Sequence, residues 1–87
     1  MRIADIEQII EAWAPRWTAW ERDNVGLQVG DRGREVSRVL VALDMTDRVV
    51  DEAKKKRAGL IVSHHPLLFR PPSAVTASNE IGRIVLK

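Results

Sequence analysis

Two uninterrupted apolar runs, Val39-Leu40-Val41-Ala42-Leu43 and Leu60-Ile61-Val62, flank a segment of helix length, and that arrangement leaves the chain few folds. Each run has the length of a strand and the continuous apolarity of a strand buried on both faces. Between them, Thr46 or Asp47 offers a helix N-cap, and Val49, Val50 and Ala53 recur at helical spacing. Lys54-Lys55-Lys56-Arg57 fall at the negative end of that helix, and Gly59 is the expected left-handed stop. Residues 38 to 63 therefore read as a β-α-β unit with parallel, neighbouring strands. The expected fold class is α/β, with this unit in a small mixed sheet flanked by helices.

The flanking segments fit that frame. Ile3, Ile6, Ile10, Trp13 and Trp17 recur every three or four residues, with Asp5, Glu7, Gln8 and Glu11 between them, which predicts an amphipathic helix. Pro15 forces Ala14 out of the α region, so the helix should end near Trp13. Trp13, Trp17 and Trp20 continue one face past the proline; such a stripe is expected in a core or a subunit contact more often than stacked on bases. Val25 to Val29 has the pattern of a short strand between Gly26 and Gly30, and Asp31-Arg32-Gly33-Arg34 reads as a turn. Pro66, Pro71 and Pro72 make residues 66 to 78 a loop, after which Ser78 or Asn79 can cap a last helix carrying Ile81, Ile84 and Val85. That helical pattern runs to the last residue, as in a chain cut short.

Size and composition narrow the function classes. Eighty-seven residues make one domain, in which ~60–65 % of the unfolded surface can be buried. No cysteine is present, which excludes disulfides, thiolate zinc sites and iron–sulfur clusters. A formal net charge of +2 names no partner, and the basic run at Lys54 to Arg57 is expected as a solvated helix end rather than a phosphate site. No apolar run approaches the ~20 residues of a membrane span, so a soluble, cytoplasmic protein without membrane contact is expected. There is no Gly-rich phosphate loop, and Ser63 lacks the glycine-flanked elbow of a serine hydrolase.

Both histidines stand together in Ser63-His64-His65-Pro66, where the second apolar run ends. Open α/β sheets bind ligands at the carboxyl ends of their strands, and neutral imidazole is a ligand for zinc, iron, nickel or copper. Asp44 ends the other strand, so a carboxylate and two imidazoles can converge on one edge. Adjacent strand residues point to opposite faces, so His64 and His65 can share a site only if the backbone turns; Pro66 favours this by denying the ladder an N–H. A pair splayed in that way suits two close ions, one ligand each, at least as well as one ion. An ordinary pair of loop histidines is the alternative. Asp23, Asp31 and Asp47 are further carboxylates without a recognised ligand spacing, and Asp23-Asn24 reads first as a turn whose side chains bond their own backbone.

Four segments together carry a resemblance: Ile9-Ile10-Glu11 with Ala14-Pro15, Asp23-Asn24-Val25-Gly26-Leu27-Gln28-Val29-Gly30, Val41-Ala42-Leu43-Asp44-Met45-Thr46, and Leu60-Ile61-Val62-Ser63-His64-His65-Pro66-Leu67. In order and spacing the chain resembles the amino-terminal part of the NIF-three-like dinuclear-metal-centre proteins, many of which bear the label GTP cyclohydrolase I type 2 homologue. The resemblance implies that residues 1 to 87 are a single domain, the first third of a chain roughly three times as long, a size in line with ordinary domain arithmetic. It implies two divalent ions (zinc, iron, manganese or cobalt), with His64 and His65 as metal ligands and the remaining ligands further along the longer chain. Asp44, Thr46, Asp23 and Asn24 are implied beside the metals or facing the substrate. A homo-oligomer, specifically a toroidal hexamer, is also implied. Ala4 stands at an expected helix-cap position where a hydroxyl would do better by about 1 kcal/mol.

With the paired histidines, the resemblance implies a metal-dependent hydrolase acting on a small molecule, with a purine-nucleotide ring opening of the cyclohydrolase kind as its reaction. The rivals are a non-catalytic scaffold that binds nucleic acid or protein, supported by the tryptophans and Lys54 to Arg57, and an inactive fragment.

Overall fold

In the computed structural model, which describes residues 1–21 and 23–87, the β-α-β unit is present as read: β1 (Val39–Ala42), α2 (Asp47–Lys55) and β2 (Leu60–Ser63), preceded by α1 (Ile3–Trp13) and followed by α3 (Glu80–Leu86). β1 and β2 pair in parallel, Val39 opposite Leu60 through Ala42 opposite Ser63, a constant offset of 21 residues (63 − 42). Among the described residues these are the only named strands, and an isolated antiparallel bridge joins Arg2 to Glu35.

Thr46 caps α2, its Oγ1 accepting the Val49 N–H at 3.2 Å. The other end of α2 departs from expectation. The left-handed residue is Arg57, at φ 58°, and not Gly59. Ala58 N–H reaches back to the Ala53 carbonyl and Arg57 N–H to that of Lys54, the paired bonds of a Schellman motif. The sheet dictates this early exit, because Gly59 N–H must already donate to Arg38 O at the start of β2. Gly59 lies against Val36, where a Cβ would stand at the close end of ordinary contact, 3.4 Å from a Val36 methyl.

α1 ends at Trp13, as Pro15 requires, and a 3-10 turn follows over Arg16–Thr18. Its N-cap is Arg2, not Ala4, and the Asp5 carboxylate reaches back to accept the Arg2 N–H at 2.8 Å. The free N–H groups of Ile3 and Ala4 donate to the carbonyls of Arg34 and Arg32, so the turn at 31–34 seals the helix start. Glu7 then fastens the loop before that turn, accepting from Leu27 N–H at 3.2 Å and from Arg32 Nε at 2.7 Å.

Val25 to Val29 is not a strand. Gly26 and Gly30 take φ of 116° and 129°, which an extended strand does not use, and the segment is an irregular loop. The buried apolar residues are Ile3 of α1, Val36 before β1, Val50 and Ala53 of α2 and Ile84 of α3, with α2 packed against both α3 and β2. The expectation of strands buried on both faces fails for β1: alternate residues point to opposite faces, and Val41 and the following Leu43 are 75% and 61% exposed. The tryptophans are not core either, at 88%, 84% and 74% exposure for Trp13, Trp17 and Trp20. α1 ends at Trp13, so Trp17 in the 3-10 turn and Trp20 beyond it do not extend its helical face.

α3 is capped by Asn79, whose Oδ1 accepts the Gly82 N–H at 2.6 Å. Gly82 is buried against the backbone of Thr76, so close that a Cβ would lie 2.0 Å from the Thr76 carbonyl oxygen. Lys87 ties α3 to α2 through Asp51 at 3.0 Å and Asp47 at 3.1 Å, and these hydrogen bonds raise its ammonium pKa above the ordinary 10.5. Lys54 to Arg57 are exposed, as a solvated helix end should be. No described helix is long and apolar enough to cross a membrane.

Candidate metal centre

The sheet ends at the histidines. β2 stops at Ser63, yet two more amides continue onto the neighbouring strand: His64 N–H donates to Ala42 O at 3.1 Å and His65 N–H to Leu43 O at 2.9 Å. In a regular parallel ladder only alternate residues direct their N–H groups to a given neighbour. Two consecutive amides bonding the same strand mean that the backbone has turned between them. This turn is what the shared use of adjacent side chains requires, and the imidazole centroids lie 4.9 Å apart with planes inclined at 55°.

Ser63 helps to hold the bend, its Oγ donating to the His65 carbonyl at 2.8 Å. Its role is conformational, and its hydroxyl is directed at the backbone, away from nucleophilic work.

Asp44 and His65 also meet as the topology demands. Extending the register beyond Ala42 and Ser63 by two residues on each strand places them opposite one another, and His65 Nδ1 lies 2.6 Å from Asp44 Oδ1. Both side chains are exposed at the sheet's rim. His64, in contrast, lines a groove of about 1130 Å³ whose walls include Ile6, Leu27, Met45, Pro66 and Leu67.

The other expected residues occupy supporting positions. Thr46 Oγ1 is engaged in capping α2. Asp23 Oδ1 accepts the N–H of Asn24 at 2.8 Å, the local turn that its composition suggested. Asn24 turns instead to the loop beyond the histidines, where its Nδ2 donates to the carbonyl of Leu68. Gln28 completes the attachment: its Oε1 accepts the Leu68 N–H at 2.7 Å and its Nε2 donates to Asn24 O at 2.8 Å. The three residues form a closed circuit that clasps the loop three residues past His65. Sequence reasoning missed Gln28 and the backbone of Leu68; the sole signal was the presence of Gln28 within the quoted Asp23 to Gly30 segment.

The donor chemistry fits a borderline divalent cation in part. Two imidazoles at a strand end offer nitrogen ligands of the type zinc, iron, manganese and cobalt accept. Among the described residues, however, no three His, Cys, Asp or Glu side chains are grouped so as to surround an ion, and a catalytic zinc site ordinarily takes three protein ligands.

Over residues 1–87 the sequence matches the model of Duf34/NIF3 (NGG1p interacting factor 3). The chain belongs to the Duf34/NIF3 family. This Duf34/NIF3 chain is 48% identical over 86 residues to the "GTP cyclohydrolase 1 type 2 homolog" of Clostridium perfringens, an alignment covering 99% of the chain and 33% of that relative. It thus spans between about a fifth and a third of the length of the curated relatives it matches. Among solved structures it is similar to Staphylococcus aureus protein SA1388, with a TM-score of 0.94 and 44% identity over 99% of the chain and 28% of that structure. It is also similar to reduced HcgD from Methanocaldococcus jannaschii, with a TM-score of 0.86 and 36% identity over 99% of the chain and 36% of the other. The backbone that presents Asp44, His64 and His65 therefore has the Duf34/NIF3 fold.

Proposed function

We propose that this chain supplies the paired-histidine part of a dinuclear metal centre in a metal-dependent hydrolase of the cyclohydrolase kind, acting on the C–N bonds of a purine nucleotide such as GTP. The observation that carries this reading is the bend after Ser63, which brings two neighbouring imidazoles to one rim of the sheet, 4.9 Å apart. His64 and His65 would each offer a nitrogen lone pair to divalent ions (zinc, iron, manganese or cobalt), and groups outside these 87 residues would complete the ligand set. Such ions, when bound, supply Lewis acidity and activate water for hydrolysis. The chain's own residues do the rest of the placing: Ser63 holds the bend, the Asn24–Gln28 clasp secures the loop at Leu68 beyond it, and the groove beside His64 offers a small substrate its approach. The name of the Clostridium perfringens relative supports the choice of substrate class.

A homo-oligomer, a ring of six copies, belongs to the same reading. The bare apolar face of β1 and the exposed tryptophans give such an assembly apolar surface to bury. A cytoplasmic setting agrees with a chain that has no cysteine and whose described helices are all too short to cross a bilayer.

Metal content by elemental analysis, measured on the protein and on H64A/H65A, tests the assignment. Loss of most bound metal in the double variant is expected, and unchanged stoichiometry would defeat it. One observation favours a second reading, a non-catalytic scaffold for nucleic acid or protein: three tryptophans stand almost fully exposed on one stretch. Salt and chelator separate the two, because phosphate-backbone binding weakens steeply with salt, whereas a metal-held small molecule is lost to EDTA.

A further inference from the structure

We propose that Asp44 is a positioning residue that decides which nitrogen of His65 is presented to a cation. The inference builds on the metal reading above but makes a claim about the metal-free protein. A neutral imidazole carries one N–H and one lone pair, and an ionised carboxylate can only accept. With Asp44 Oδ1 lying 2.6 Å from His65 Nδ1, the proton belongs on Nδ1 and the lone pair on Nε2. The donor atom of His65 is therefore Nε2, directed away from Asp44, and the carboxylate oxygen that holds the ring is not itself a ligand.

Two features make this arrangement durable. Asp44 and His65 each stand two residues past the last paired residues of β1 and β2, the His65 N–H is anchored to Leu43 O at 2.9 Å, and Ser63 Oγ fixes the His65 carbonyl. His64 differs. Among the described residues no hydrogen bond engages its ring, and it faces the groove, so its tautomer is left open. The two histidines are unequal ligands: one is pre-set by a carboxylate, the other free to adapt. A carboxylate behind a metal-binding imidazole also raises the basicity of the ligand, and losing such a partner typically weakens metal binding 10- to 100-fold.

The test begins with nitrogen-15 NMR of the imidazoles in the metal-free protein, at a pH where both rings are neutral. The protonated Nδ1, bare Nε2 form is expected for His65 in the wild type. D44A should abolish that preference. D44N, whose amide can accept from Nδ1–H or equally donate to a bare Nδ1, should also lose it. Titration with zinc ion alone should then give an affinity about 10- to 100-fold weaker for D44A, with D44N no better. The proposal is overturned if wild-type His65 carries its proton on Nε2, or if D44A leaves both the tautomer and the zinc affinity unchanged. Failure of the metal reading looks different, since H64A/H65A would then keep its metal while the NMR result for Asp44 stood.

Discussion

Replacing Gln28 by alanine removes two of the three hydrogen bonds that clasp the loop after the histidines: the one its Oε1 accepts from Leu68 N–H at 2.7 Å, and the one its Nε2 donates to Asn24 O at 2.8 Å. A neutral hydrogen bond contributes about 0.5–1.5 kcal/mol net, and the half-buried Leu68 amide left without an acceptor puts its bond toward the upper part of that range. A loss of about 2 kcal/mol follows for Q28A and about 1 kcal/mol for N24A, which removes only the bond to Leu68 O. Because the bonds form a closed circuit, breaking it once loosens what remains, and the double variant should cost less than the sum by about 0.5–1 kcal/mol. In a domain of this size 1 kcal/mol corresponds to about 4–8 °C in melting temperature, so Q28A should melt roughly 10 °C below the wild type. Thermal melts give the energies, and amide hydrogen exchange at Leu68 localises the effect. The reasoning is refuted if Q28A lies within about 0.3 kcal/mol of wild type, the scatter of independent sites, with Leu68 exchange unaltered.

Two substitutions test the backbone. Glycine to alanine within a helix ordinarily gains about 0.5–1 kcal/mol, but G82A places a Cβ 2.0 Å from the Thr76 carbonyl oxygen, and the sign should invert to a loss of about 1–3 kcal/mol in chemical denaturation. R57G relieves a left-handed non-glycine residue at the end of α2 and should raise stability by about 0.5–1 kcal/mol, read from the shift in the denaturation midpoint.

The β-α-β unit was legible because apolar runs and a helical period are local signals that tertiary packing then reinforces. Thr46 as a cap and the end of α1 before Pro15 were legible for the same reason. The exit of α2 was not: the position of the left-handed turn depends on where β2 must begin to pair with Arg38, which is information held by another segment. Val25 to Val29 has strand-like composition, but its glycines adopt positive φ and its ends are occupied by Asn24 and Gln28 reaching a loop 40 or more residues away. Side-chain bonds to distant backbone follow no period, so the clasp left no pattern to read. At the site, the convergence of Asp44 with the histidines was legible from topology alone. The particular pairing of Asp44 with His65, and the separate outlook of His64 onto the groove, needed the register. Apolarity over-read burial for β1 and the tryptophans, because it specifies what water disfavours and not what is available to cover it.

The offset of 21 residues shared by the strand pairs and by Asp44 with His65 has a consequence for how this chain tolerates change. Insertions within the connection that contains α2 lengthen a crossover whose two anchor points stay put, and the acid and the imidazole still arrive face to face. A single residue added or deleted between Ala42 and Asp44, or between Ser63 and His65, displaces one partner by a full step of the pleat and parts the couple. Length variation is therefore best tolerated in the turns of that connection, outside the helical stretch that buries Val50 and Ala53, while the two short stretches at the strand tips must be inherited at fixed length.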